Sequence, residues 1–229
     1  MPAAVGGRLG PGFLLLSIAT FALVTSAAPS LLPASAAALG VGSVAAVLVG
    51  IAMFDPRPRA PWWLLAIGQF CLVAGSSILS PVAQPLTASP LADVANAIHL
   101  VGYPIVTLGF ALLVIRRPLG ASWSVLLDGG ILTAGIALLV WVAFADPLLS
   151  QPGLSQPVRA IEIVFLLCDV VAVGVLACLL LGSEARTPAV GLFFLGMLAM
   201  LVAHGLTGSG SVWTSSWPVQ FAYFAQYGL

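Results

Sequence analysis

The chain has no lysine, and only 6% of its 229 residues carry a formal charge, against roughly 25% in soluble domains. So few charges cannot cover a water-exposed globule, and a water-soluble fold is excluded on that ground. A net charge of zero with seven scattered arginines excludes a basic nucleic-acid-binding face. The three cysteines, Cys71, Cys168 and Cys178, all lie inside apolar runs, where a thiol behaves as a small buried hydrophobe, so no disulfide framework is expected. The chain also lacks His-x-x-x-His, Glu-x-x-His and Cys-x-x-Cys spacing, a glycine-rich phosphate loop and a nucleophile elbow. No metal, no cofactor and no catalytic constellation are therefore expected, and the chain does not read as an enzyme.

What is present is hydrocarbon. Hydrophobic residues make up 61% of the chain, and the mean hydropathy is +1.15. A helix rising about 1.5 Å per residue needs about 20 mainly apolar residues to cross a bilayer core of about 30 Å. Seven stretches meet this requirement: 12–28, 36–54, 62–79, 97–115, 125–145, 160–181 and 189–206. An eighth, 217–229, is long enough for only about 20 Å of helix. The pattern predicts an all-α integral membrane protein, a single domain over 1–229 with seven complete transmembrane helices and a truncated eighth. Span one, with Arg8 ahead of it and Ser26-Ala27-Ala28 at its exit, also has the form of a cleavable signal peptide.

Arginine distribution predicts the orientation. Arg8, Arg57, Arg59, Arg116, Arg117 and Arg186 fall on one side of this ladder and Arg159 alone on the other. Arg-rich short loops stay in the cytoplasm, so the amino terminus is expected inside. Trp62, Trp63, Trp123, Trp213 and Trp217 stand at span ends, where amphipathic rings favour the interface. Pro/Gly turns are expected at Asp55-Pro56-Arg57-Pro58 and Arg117-Pro118-Leu119-Gly120, and an outer loop over Asp146 to Pro157. Pro104 is expected to kink span four, and Gly102 and Gly109 to mark a close helix contact on one of its faces.

Ionisable residues within spans carry any chemistry there is, because a charge in lipid is costly unless paired or facing a cavity. Asp169 lies near the middle of span six, and Arg159, Glu162 and Asp169 share one face of that helix. They form a polar stripe descending from the outer surface. It can line a sensing crevice, or Asp169 can remain protonated and bond a neighbouring helix. Asp93, Asn96, His99 and Tyr103 follow one another at helical spacing into span four, and His204 lies near the outer end of span seven. Asp93, His99, Tyr103, Glu162, Asp169 and His204 are the candidate ligand-sensing residues. Asp128, at the start of span five, reads as an inner-surface charge.

The run Leu91-Ala92-Asp93, His99-Leu100-Val101-Gly102-Tyr103-Pro104, Gly109 and Arg116-Arg117, followed by Leu127-Asp128-Gly129-Gly130, Trp141, Pro147 and Asp169, resembles the amino-terminal membrane region of bacterial cyclic-di-GMP signalling proteins with GGDEF and EAL domains. The likeness covers about 93–229. It departs at Phe165-Leu166-Leu167-Cys168-Asp169, where such proteins carry a Tyr-Pro pair before the acidic residue, and at His204, where an acidic residue is common. The resemblance implies a membrane sensor and anchor module in the bacterial inner membrane, regulating a cytoplasmic output domain beyond this chain. Its partners would be the lipid bilayer, that output domain and a second copy in a homodimer, with no nucleic acid. A small transporter or channel subunit is the alternative, and a structural subunit without a ligand a third reading.

Overall fold

In the computed structural model the chain is described over residues 19–20, 22–24, 26–27, 31–78, 90–115, 123–152, 156–181 and 188–208. The described elements are α1 (Leu32–Phe54), α2 (Ala60–Ile78), α3 (Pro90–Ile115), α4 (Trp123–Val140), a π-helical turn (Trp141–Ala145), α5 (Asp146–Ser150), α6 (Gln156–Leu181) and α7 (Pro188–Gly208). Among the described residues there is no strand.

Among the described residues four segments are long and apolar enough to cross a membrane: Ala34–Phe54, Asp93–Ile115, Ser124–Ser150 and Arg159–Leu181. The expected ladder of seven complete spans and a truncated eighth goes further than this. Span three is helical as α2 but falls outside the four, and span seven contributes the shorter apolar stretch Val190–Leu206 within α7. Most of span one, with its signal-peptide reading, and all of the eighth span lie outside the described residues.

Two boundaries differ from expectation for identifiable reasons. The helix expected to end at Ala145 continues to Ser150, so the first part of the presumed outer loop is helical. Pro147 falls inside this continuous run and has no N–H to give the turn before it. The turn just before it widens to π geometry, with the Asp146 N–H donating to the Trp141 carbonyl. The helix α3 begins at Pro90, taking Asp93 and Asn96 into its first turns. It remains one helix across Pro104.

The turn after α1 is as anticipated. Asp55 caps α1 in the left-handed region at φ 41°, which a short polar side chain tolerates, and its N–H donates to the Ile51 carbonyl at 3.2 Å. Arg59 Nε donates to Asp55 Oδ1 at 2.6 Å, tying the turn to the start of α2.

Close packing starts with the antiparallel α2–α3 hairpin. Without a hydrophobic drive between helices in lipid, tight approach depends on small residues. Gly68 and Gly75 on α2 face Gly102 and Gly109 on α3 along one seam. A Cβ on Gly75 would stand 2.5 Å from His99 Cβ, and one on Gly102 would stand 3.0 Å from the Gly68 carbonyl oxygen. The contact expected at Gly102 and Gly109 is therefore with α2. α6 then packs against α3, α4 and α7. Its Asp169, Ala172, Val173 and Leu176 have no exposed surface.

Candidate functional site

The seam between α2 and α3 places the first polar side chain. Because Gly75 lets the backbones approach, His99 Nδ1 reaches the Leu72 carbonyl at 3.0 Å. A carbonyl only accepts, so that nitrogen carries the proton and donates. One turn further along α3, Tyr103 projects toward α6 and α7. Its hydroxyl lies 3.1 Å from His204 Nδ1 of α7, and the same nitrogen is 2.6 Å from Asp169 Oδ2 of α6. Tyr103, His204 and Asp169 thus join three helices through one imidazole nitrogen.

Rings enclose this centre. Phe165, one turn before Asp169, stacks on His204 with centroids 5.4 Å apart and planes 15° apart. His99 meets Phe165 edge-on at 5.2 Å and His204 at 5.8 Å. The four polar residues are almost fully enclosed: His99 is 3% exposed, Tyr103 1%, His204 6% and Asp169 0%. On the α7 side, Gly205 admits the Phe144 ring of the π-helical turn, which a Cβ there would approach to 2.5 Å.

One atom stands out within this enclosure. Among the described residues Asp169 Oδ1 is buried and has no hydrogen-bond partner. Toward the membrane surface, Glu162 lies two turns earlier on the same face of α6 and within electrostatic reach of His204. Arg159, one turn beyond Glu162, donates from Nη2 to the Gln151 carbonyl at 2.6 Å. The stripe of Arg159, Glu162 and Asp169 expected from helical spacing thus leads from the helix end to the centre of the cluster. Beside it, between α3 and α6, a groove of about 590 Å³ is lined by Leu100, Tyr103, Pro104, Leu167, Cys168 and Val171. That groove is almost wholly apolar.

Of the six candidate residues, His99, Tyr103, Asp169 and His204 come together and Glu162 approaches them. Asp93 does not join them. It is exposed in the first turn of α3, about 15 Å of helix rise from Tyr103. Asp128 is exposed on α4. Phe165 and the Leu72 carbonyl were not anticipated. The position of Phe165 four residues before Asp169 was a signal for the former, whereas the latter depends on the tertiary seam alone. Among the described residues no group of three or more His, Cys, Asp or Glu side chains is arranged to hold a metal ion.

Comparison with protein-family models, with curated proteins and with solved structures finds no match to this chain. The site's geometry therefore carries the functional argument.

Proposed function

We propose that this chain is the membrane sensor and anchor module of a bacterial inner-membrane signalling protein, whose output is a cytoplasmic domain that makes or degrades cyclic-di-GMP. The observation that supports this reading is the buried junction of Tyr103, Asp169 and His204. An intramembrane carboxyl bonded across helices is costly to bury and is held in place by its partners. Any signal that changes its bonding favours one packing of α3, α6 and α7 over another, and a differential of a few kcal/mol moves such an equilibrium. In this reading the amino terminus is cytoplasmic, and seven complete spans precede an eighth that continues toward the output domain. The module has no catalysis of its own.

The decisive experiment is to read the gene beyond the codon for Leu229. About seven further apolar residues, then a charged soluble segment with a GGDEF or EAL domain, are expected. A stop codon at that point overturns the proposal. Orientation is tested separately: single cysteines at Ser89 and Ser155 should label from outside intact cells with an impermeant thiol reagent, and those at Arg57 and Arg117 should not.

A second reading, a small transporter or channel subunit, draws on the polar stripe from Arg159 through Glu162 to Asp169. Solute or ion flux through liposomes containing this chain alone would bring it forward.

A further inference from the structure

We propose that the Asp169–His204 pair is a proton-binding site, loaded through Glu162 from the membrane face where α6 begins, and that losing the proton forces α3, α6 and α7 to repack. This deepens the sensor reading by naming the proton as its signal, and it rests on that reading only for the step from repacking to output.

Asp169 Oδ1 is buried and, among the described residues, without a partner. An anionic carboxylate oxygen left without a donor in a membrane interior is expensive, whereas the carbonyl oxygen of a neutral carboxylic acid is tolerated far better. The geometry therefore describes the loaded state: Asp169 Oδ2 carries the proton and donates at 2.6 Å to His204 Nδ1. In that state the pair is neutral, as burial favours for a coupled couple.

The groups facing the pair restrict the route. From α3 come His99, whose Nδ1–H is committed to the Leu72 carbonyl, and Tyr103, within reach of both Asp169 and His204. From α6 come Glu162 and Cys168, with Arg159 at the helix end. α7 brings His204 itself, and the π-helical turn places Phe144 against its neighbour Gly205. α2 adds the Leu72 carbonyl and no charge. The groove beside the cluster is apolar, so Glu162, interacting with His204, is the ionisable link between the pair and the helix end.

The transfer balances. A proton from the aqueous phase adds to the Glu162 carboxylate and passes over a bridging water to His204 Nε2, forming an N–H bond, because the two side chains interact electrostatically without a direct hydrogen bond. The Nδ1–H bond then breaks as that proton moves to Asp169 Oδ2. Asp169 goes from carboxylate to acid, His204 exchanges one neutral tautomer for the other, Glu162 returns to its starting form, and the pair gains one positive charge. Unloading reverses each step. It leaves Oδ1 as an anionic oxygen needing a donor, and the Tyr103 hydroxyl, within reach of the Asp169 carboxyl, is the donor that α3 supplies. Following it moves α3 against α6 and α7.

Infrared difference spectroscopy of the chain in lipid nanodiscs, between acidic and alkaline buffer, tests this. The expected result is a carboxylic-acid C=O band that disappears on alkalinisation, shifts with carboxyl-¹³C aspartate and is lost in Asp169→Asn. If Asp169→Asn does not fold, the isotope shift in a chain carrying Asp93→Asn, Asp128→Asn and Asp146→Asn still decides, because the one other aspartate, Asp55, is exposed in the turn after α1, outside the membrane-spanning segments. Glu162→Gln should keep the band and slow its response to a pH jump by roughly a hundredfold. A band that is absent, insensitive to pH or unmoved by labelled aspartate overturns the site, and an unchanged rate in Glu162→Gln overturns the route. Should the band behave as described while the output domain ignores pH, the sensor reading fails and the proton site remains.

Discussion

The segments Ser124–Ser150 and Arg159–Leu181 are both long and apolar enough to cross a bilayer, yet 11% of the first is buried inside the protein and 56% of the second. Along the first, Leu127, Ile131, Leu138 and Leu139 are between 62% and 71% exposed, a surface suited to lipid. Along the second, Asp169, Ala172, Val173, Leu176 and Ala177 are at most 1% exposed. Apolarity alone does not make a membrane helix central, because lipid tails accept leucine as readily as a protein interior does. What draws α6 inward is a carboxyl that lipid cannot accommodate, along with small residues that let neighbours approach.

Substitutions across these two helices should separate them sharply. The largest loss is expected for Leu176→Ala, which empties a fully enclosed site and should cost about 2–5 kcal/mol by thermal or denaturant unfolding in detergent. If it is neutral, the central place of α6 is wrong. Asp169→Leu should come next, at about 1–3 kcal/mol, because it leaves His204 and Tyr103 without the carboxyl they bond. Asp169→Asn, which keeps size and a hydrogen-bonding oxygen, should cost less, and equal melting of the two variants would deny Asp169 a structural role. Gly75→Ala probes the seam that positions His99 and should lose about 1–3 kcal/mol through overpacking. The smallest effects belong to α4: Leu139→Ala and Gly130→Ala, the latter with nothing within 4 Å of its added Cβ, should stay within about 0.5 kcal/mol of wild type. A larger loss at Leu139 would mean that another protein surface, rather than lipid, covers that face.

Much of the cluster was legible because helical geometry is local. Glu162 and Asp169 share a face by spacing alone, and His99 and Tyr103 share another. Asp93 continues the His99 and Tyr103 pattern, but it lies exposed in the first turn of α3 and so stands apart from the buried cluster. The span count was the weakest reading. Apolar run length counts hydrophobic residues and does not register where a helix starts or stops. The continuation of α4 through Ala145 into α5 passes Pro147 by way of the widened π-helical turn just before it, and the earlier start of α3 brought polar Asp93 and Asn96 inside the helix.

By itself the amino-acid sequence determined that this protein is helical and belongs with lipid, because 61% hydrophobic and 6% charged residues leave no other solvent for it. It also determined that Asp169 needs a partner, since a lone carboxyl in hydrocarbon is too costly to persist. Only the tertiary structure decided that the partner is His204, 35 residues away, with Tyr103 completing the junction from a third helix. It likewise decided that Oδ1 has no donor among the described residues. Those choices follow from how closely Gly75, Gly102 and Gly205 let their helices approach, and helix-to-helix distance is a property of packed surfaces that no single run of residues encodes.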